Sequence, residues 1–519
     1  MSKKASSAIH ELISAMTKSE KRYFKLYASR HTIGEQNNYI TLFDFIESMS
    51  TYNEDLIFEH FKGASFLNKF PITKTRLYDN IVRSLCAYYS NSSIDAQLYR
   101  ILHTVEILFK KGLYDQASKQ LISAEKLANK HDRYILLLEI NKQKKRLVES
   151  NDYYDVLPED IEGNLVLDQM CLEQQNYFNA LWEIKSLLFQ RINQKGKIRS
   201  EEEKAYYDCL MDRLALLKTP KQPALESRFL RNQIISAYSY VTLLLGDAYD
   251  FHEKNLRLLN NEPKKIQEQP NLYFYTLTNL IHLETEVGSY ASALDWLHKL
   301  KAFPQKYKVQ QNEDFEMKMF SSIYTTEMML LIKQGEFQKA VDLVGDIQLG
   351  LKKHGELIAP AKKAYLMFKV AVAYFGLADF STSLKWINKM LNDQSLDQTE
   401  DIMAFTQLLS LMVHFELGNF DLLPYAERST QRFLKNRNRN YYVEKIILKF
   451  IRKASKVDHV LDLEPFYFQL IDDLNDMLTF SYESVALEYF DFLGWAESKA
   501  KKRSFCEVQK DKYLIAISE

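Results

Sequence analysis

The sequence contains few glycines and prolines for its length, with 14 Gly and 10 Pro among 519 residues. Average usage would give roughly 60 such residues in a chain of this size. Their scarcity excludes collagen-like, low-complexity and glycine-linker proteins. It also argues against β-sandwiches and barrels, which need turn residues about every 8–12 positions.

Cysteines, excess charge and long apolar runs are scarce as well. The four cysteines are far apart and form no C-x-x-C pair, which indicates a reducing compartment. Lys+Arg and Asp+Glu are equal at 68 each, so no net charge favours nucleic acid or membranes. No apolar run approaches the ~20 residues that span a bilayer, and the polar start does not resemble a secretory signal. We therefore expect a soluble cytoplasmic protein without a membrane partner.

The sequence is rich in apolar and aromatic residues at helical spacing. It has 32 Tyr and 31 Phe, and Ile101, Leu102, Val105 and Leu108 exemplify the recurring offsets of three and four that form one helix face. We found no convincing strand pattern. These features predict an all-α protein with a large core.

A short pattern recurs along the chain. A small residue is followed after two positions by an aromatic, three positions later by a small residue, and four later by an apolar one. Copies begin at Gly112, Gly288, Gly335 and Ala378, a weaker copy at Gly418 and a degraded one at Gly246, with candidate turns at Asn151 and Gly196. A period of 40–47 residues predicts a solenoid of helix hairpins, in which the first residue ends one helix in a tight or left-handed turn. Prolines are expected in the connections, where a missing N–H is harmless: Pro263, Pro270, Pro304, Pro360, Pro424 and Pro465.

The pattern resembles the tetratricopeptide-repeat family. Gly288, Tyr290, Ala293, Leu297 and Pro304 fit that family's turn motif, although the repeats here are longer than usual. The resemblance implies a right-handed superhelix of stacked antiparallel hairpins. We accordingly divide the chain into a helical N-terminal cap (1–94), tetratricopeptide-like repeats (95–430) and C-terminal helical repeats or a cap (431–519).

The resemblance also implies a peptide-binding groove, lined at the family's fifth and ninth repeat positions. These correspond to Thr278, His282, Thr325, Met329, Phe368, Val372, Leu408 and Met412. Such a neutral to apolar groove suits a protein or peptide partner with an amphipathic or apolar segment. The alternative is that these side chains pack against the neighbouring hairpin.

Both ends of the chain carry polarised charge. The first thirty residues hold seven basic side chains against two acidic ones. A DNA-recognition helix over 72–85 could follow the helix at 55–61, but a gap of about ten residues exceeds the 3–4-residue turn of a helix-turn-helix and favours a cap. Residues 428–456 have a net charge of +9 and residues 458–497 a net charge of −10. We favour the interpretation that these blocks lie on adjacent helices and neutralise each other. The alternative is that the basic block binds a partner such as nucleic acid.

The sequence contains no recognisable catalytic constellation. It has no H-E-x-x-H, G-x-S-x-G or G-x-G-x-x-G motif, and we predict no metal and no cofactor. Our leading hypothesis is a non-enzymatic protein- or peptide-binding scaffold or adaptor. The alternative is a regulator that binds nucleic acid with its N-terminal helices and senses a peptide with its repeats, similar in layout to bacterial peptide-sensing transcription regulators.

Overall fold

The structure, a computed structural model, describes residues 7–30, 38–154, 156–309, 312–396, 400–439, 441–457, 463–479 and 482–518. In these ranges the only regular secondary structure is helical, which confirms the predicted all-α class. The chain divides into two compact units, Met1–Gln175 and Asn176–Glu519. The predicted boundaries at 94/95 and 430/431 stay predictions about the repeat organisation.

The described residues of unit 1 contain eight α-helices and the first part of a ninth, which continues into unit 2. Local signals explain several boundaries: Thr17 and Glu20 form a reciprocal capping box at the start of α2, and the Ser93 hydroxyl caps α6. The fifth helix begins at Phe70, two residues before the segment 72–85 that the sequence predicted. The helices are α1 (Ala8–Ala15), α2 (Lys18–Ser29), α3 (Asn38–Ser48), α4 (Glu54–His60), α5 (Phe70–Tyr88), α6 (Ile94–Lys110), α7 (Tyr114–Lys130), α8 (Tyr134–Ser150) and α9 (Pro158–Lys195).

Two apolar cores hold unit 1 together. The first joins α1 to α5 around Phe24, Phe43 and Phe70. The second joins α6 to α9 around Leu121, Leu137 and Cys171. Each core is made by the apolar faces that the 3.6-residue periodicity indicates, so burial of those faces accounts for the packing of successive helices.

Unit 2 continues from α9 through eighteen further helices among the described residues. Three apolar clusters form its interior, the largest running from α16 to the C-terminal helix. The helices are α10 (Glu201–Ala215), α11 (Leu225–Val241), α12 (Leu245–Asn260), α13 (Pro263–Glu268), α14 (Pro270–Val287), α15 (Tyr290–Lys306), α16 (Glu313–Lys333), α17 (Phe337–Asp342), α18 (Val344–His354), α19 (Pro360–Gly376), α20 (Phe380–Leu391), α21 (Glu400–Glu416), α22 (Leu423–Asn436), α23 (Tyr442–Ala454), α24 (Glu464–Leu478), α25 (Ala486–Tyr489), α26 (Phe492–Ala500) and α27 (Phe505–Ser518).

The predicted hairpin turns are confirmed at five positions. Gly112, Gly288, Gly335, Ala378 and Gly418 all have left-handed backbone, and each separates two helices that pack on each other or on a common neighbour. Glycine is favoured there because a Cβ destabilises this conformation. At the degraded copy the register was wrong: Leu243 adopts the left-handed turn, and Gly246 lies inside α12.

The predicted role of the prolines needs a correction. Pro263, Pro270, Pro360, Pro424 and Pro465 lie in the first turn of a helix, where the backbone N–H has no partner within the helix. Pro304 lies inside the last turn of α15 and not in a connection. Most of these prolines therefore begin helices and do not separate them.

Candidate functional site

The predicted groove positions fall on four helices of unit 2, in pairs on α14, α16, α19 and α21. Thr278, His282 and Thr325 are partly exposed. The five others are buried: Met329, Phe368, Val372, Leu408 and Met412. Phe368, Leu408 and Met412 pack in the largest apolar cluster, so most of the predicted set does not line an open groove.

The chain's own segment 486–493 lies against this face. The Lys369 ammonium group donates to the backbone carbonyl oxygens of Glu488 and Tyr489 at 2.8 and 3.2 Å. The Tyr489 ring stacks on Phe405 with centroids 4.2 Å apart, and Phe490 contacts Phe375 edge-to-face. A lysine and a row of aromatic side chains thus bind a stretch of polypeptide here.

A buried ionic centre lies beside this segment, and its first half is organised by Lys197. The Lys197 Nζ atom is 2.5 Å from Glu488 Oε1 and 3.5 Å from Glu286 Oε2, and it lies 4.0 Å from the Tyr240 ring centroid. The Tyr240 hydroxyl is hydrogen-bonded to His282 Nε2 at 2.6 Å. His282 is therefore part of this polar interior.

Burial determines the charge state of this half. Desolvation and the adjacent Glu286 carboxylate raise the pKa of Glu488 to about 8, which favours its protonated form at neutral pH. Desolvation and the nearby Lys333 ammonium lower the pKa of Lys369 to about 7. A proton on Glu488 relieves the repulsion between two carboxylates that share a single ammonium group.

The second half of the ionic centre is built on two arginines. Arg199 Nη2 lies 2.8 Å from Glu483 and 3.3 Å from Glu444, and both the Arg199 and Glu444 side chains are only 1 % exposed. Arg439 pairs with Asp401. Both guanidinium groups lie over the Tyr441 ring, at 4.1 and 5.1 Å from its centroid.

The loop between α9 and α10 supplies Lys197 and Arg199 to the two halves. Gly196 has φ +75°, and a Cβ at this position would lie 1.7 Å from an Asp401 carboxylate oxygen. Only glycine fits this close approach. Sequence reasoning identified the turn at Gly196 but missed the two cations, because lysine and arginine in a short loop give no signal of burial.

A cavity of about 210 Å³ lies next to segment 486–493. Met329 and Val372 of the predicted groove contribute to its wall, together with Lys333, Lys369 and Lys512. Lys512 is paired with Asp491 at 2.7 Å. Within the described part of the chain, Lys333 has no carboxylate within 4 Å, so it can provide a positive charge for a ligand in this cavity.

The two charged C-terminal blocks are only partly paired with each other. Among ion pairs of the described residues, Lys449–Asp473 at 2.7 Å is the one that joins them. Glu483 and Glu488 instead pair with the α9–α10 loop, and Asp491 pairs with Lys512. Asp458 and Asp462 lie outside the described residues. Glu483 and Glu488 therefore belong to the ionic centre of unit 2 and do not neutralise the basic block.

The N-terminal basic residues are partly neutralised within unit 1. Lys21 pairs with Glu47 at 3.2 Å, and Lys25 pairs with Asp44 at 2.7 Å. Lys18 and Arg22 remain exposed on the same helix, and all four line one shallow cleft. Lys3 and Lys4 lie outside the described residues.

Comparison with known proteins identifies no relative. No protein-family model matches the sequence, and no curated protein is similar to it. In the described part of the chain, every helix is too short or too polar to cross a bilayer.

Proposed function

We propose that this protein is a non-enzymatic, tetratricopeptide-like scaffold whose helix hairpins form a right-handed superhelix and bind a protein or peptide segment on the inner face. The left-handed turns and the packing of successive helices support the repeat architecture. The observation that carries the binding function is the seating of segment 486–493 on Lys369 and the aromatic side chains around it. This face already binds backbone carbonyls and aromatic rings.

The charge of the cavity indicates which partner would extend this contact. Lys333, Lys369 and Lys512 line it together with Glu488, Asp491 and apolar Met329 and Val372. Because Glu488 favours its protonated form, positive charge is in excess there. A peptide that combines acidic side chains with aromatic or aliphatic ones would pair with the lysines and pack against the apolar residues. The partner is thus an amphipathic segment, as predicted, with the added requirement of negative charge.

Peptide selection on the purified full chain tests the proposal. We expect display libraries to yield acidic peptides with aromatic residues, and Lys333→Glu to weaken their binding about tenfold, or about 1.4 kcal/mol. Lys339→Glu is the matched control, because Lys339 is an exposed lysine six positions away with only a weak pair to Glu336. Failure to select any peptide, or equal binding by both variants, would contradict the proposal.

The basic cleft on α2 supports a second candidate, a regulator that binds nucleic acid through unit 1. Lys18, Lys21, Arg22 and Lys25 lie together there. Phosphate contacts release counterions, so binding would fall by about one unit of log K per log salt for each phosphate neutralised. If the protein is retained on a DNA column at low salt and the double variant Lys18→Glu/Arg22→Glu is not, this candidate is supported. If the unchanged protein is not retained, the candidate is wrong.

A further inference from the structure

The stretch 147–184 contains no basic side chain. It holds nine Asp and Glu residues and no Lys, Arg or His, although acidic and basic residues are equal at 68 each over the whole chain. Most of the stretch forms the end of α8, the connection and the first two thirds of α9. Two of the nine acids are paired with basic residues outside the stretch, Asp168 with Lys145 and Glu183 with Arg213. The excess of negative charge that remains is a strong electrostatic feature.

The unit 1 part of α9 also exposes a row of apolar side chains. Ile161, Leu165 and Leu172 follow one another at offsets of four and seven, so they share one face of the helix. Their exposed fractions are 44, 51 and 49 %, although Cys171 and Gln174 on other faces of the helix are buried. An apolar row of this kind on a solvent-facing helix is typical of an interaction surface.

A second row runs directly beside the first and carries the charge. Glu162, Val166, Gln169 and Glu173 are offset by one residue from the apolar row and are also exposed. Val166 is 64 % exposed and extends the apolar surface between the two acids. The face formed by these two rows, which we call the α9 face, is therefore both apolar and acidic.

We infer that the α9 face is a docking site for a basic amphipathic helix of a partner protein, with leucine-like residues on one side and lysine or arginine on the other. The leucine-like residues would cover Ile161, Leu165 and Leu172, and the cations would meet Glu162 and the acids around it. A second copy of the same face is a poor occupant, because it would bring acidic residues against acidic residues. This surface lies in unit 1, so it is independent of the unit 2 site of the proposed function.

The test uses the full chain and a labelled synthetic helix with leucine on one face and lysine on the other, followed by fluorescence anisotropy. We expect binding that weakens as salt is raised, because charge complementarity contributes to it. Glu162→Lys/Leu165→Ala should weaken binding about tenfold. Glu202→Lys/Leu216→Ala makes the same charge and volume change at exposed positions of unit 2 and should leave binding unchanged.

Three results would overturn the inference. The first is equal loss of binding in both double variants, and the second is equally strong binding of a peptide with glutamate in place of lysine. The third is concentration-dependent self-association that Glu162→Lys/Leu165→Ala abolishes, which would assign the face to a second copy. Because all four substituted residues are exposed, far-UV circular dichroism should show unchanged helicity in both variants.

Discussion

The guanidinium group of Arg199 donates a hydrogen bond of 2.8 Å to the carboxylate of Glu483, across 284 positions of sequence. It also faces Glu444, and these side chains are almost completely buried. A cation that balances two buried carboxylates is difficult to remove, since each carboxylate would remain uncompensated in a low-dielectric interior.

We predict that Arg199→Met strongly destabilises unit 2. Breaking one partner of a buried ion pair typically costs about 3–5 kcal/mol. Urea denaturation followed by far-UV circular dichroism measures this change. Arg213→Met is the matched control, because Arg213 pairs with Glu183 at 2.6 Å on the surface, where Glu183 is 58 % exposed and such pairs contribute about 0.2–1 kcal/mol. Similar losses in the two variants would show that burial of Arg199 is not the cause.

The stability of unit 2 should fall in mild acid because of His252. Burial lowers the pKa of His252 from 6.5 to about 4, and its Nδ1 atom has no hydrogen-bond partner among the described residues. Between these values the unfolded state binds a proton that the folded state excludes. Stability is therefore lost as the pH falls from about 6.5 to about 4, by up to about 3 kcal/mol.

His252→Asn removes this group and should reduce the slope of the acid limb in a plot of unfolding free energy against pH. His282, whose pKa burial also lowers to about 4, supplies the part of the slope that remains. The variants are compared by the slope of unfolding free energy against pH and not by its absolute value, because His252→Asn also changes core packing. His298→Asn, at an exposed position of the same unit, should retain the slope of the unchanged protein. The prediction is wrong if both variants show the same slope below pH 6.5.

Gly335→Ala should be more damaging than Gly418→Ala. Both glycines have φ near +70°, so each substitution incurs the left-handed cost of about 1–2 kcal/mol. A Cβ at position 335 would also lie 2.8 Å from the backbone nitrogen of Lys510 in α27, whereas at position 418 the nearest side-chain atom is 3.9 Å away.

The difference should be local to α27. Hydrogen exchange of residues 505–518 is expected to accelerate in Gly335→Ala and to stay unchanged in Gly418→Ala. Unfolding free energies that decrease equally in the two variants, with unchanged exchange in α27, would contradict the steric argument.

Trp495→Phe should destabilise unit 2 by losing one hydrogen bond to a charged group. Trp495 is buried, and its Nε1 atom donates to Glu416 at 2.6 Å. Such bonds contribute about 1.5–3 kcal/mol. Trp182→Phe, at a position 58 % exposed, should change the free energy of unfolding by less than about 0.5 kcal/mol. Equal effects in a urea titration would indicate that the Glu416 contact is unimportant.

The sequence predicted the local features of the fold well. The second helix, Lys18–Ser29, follows from local signals alone, because its amphipathic periodicity and the Thr17 cap both lie within a few residues. The left-handed turns at Gly288 and Gly335 were found for the same reason. At the degraded copy the prediction placed the turn at Gly246, but the residue with left-handed backbone is Leu243, three positions earlier.

The site was much harder to predict than the helices. Phe368 and Leu408 occupy groove positions in the repeat register but are buried, because segment 486–493 and the neighbouring helices cover that face. No residue near Phe368 in the sequence indicates that a segment more than one hundred positions later will cover it. The ionic centre was missed likewise, since Lys197, Arg199 and Glu483 look like ordinary surface charges until the fold brings them together.

The α9–α10 loop has a consequence for how the protein is made on the ribosome. Arg199 is synthesised first, and its partners Glu444 and Glu483 follow 245 and 284 positions later. Until then the cation must stay hydrated, so the helices around it cannot close over it without the cost of burying an unpaired charge. Unit 2 thus cannot close around Arg199 until residue 483 has been synthesised, and a chain released before that residue would keep an open, solvated centre.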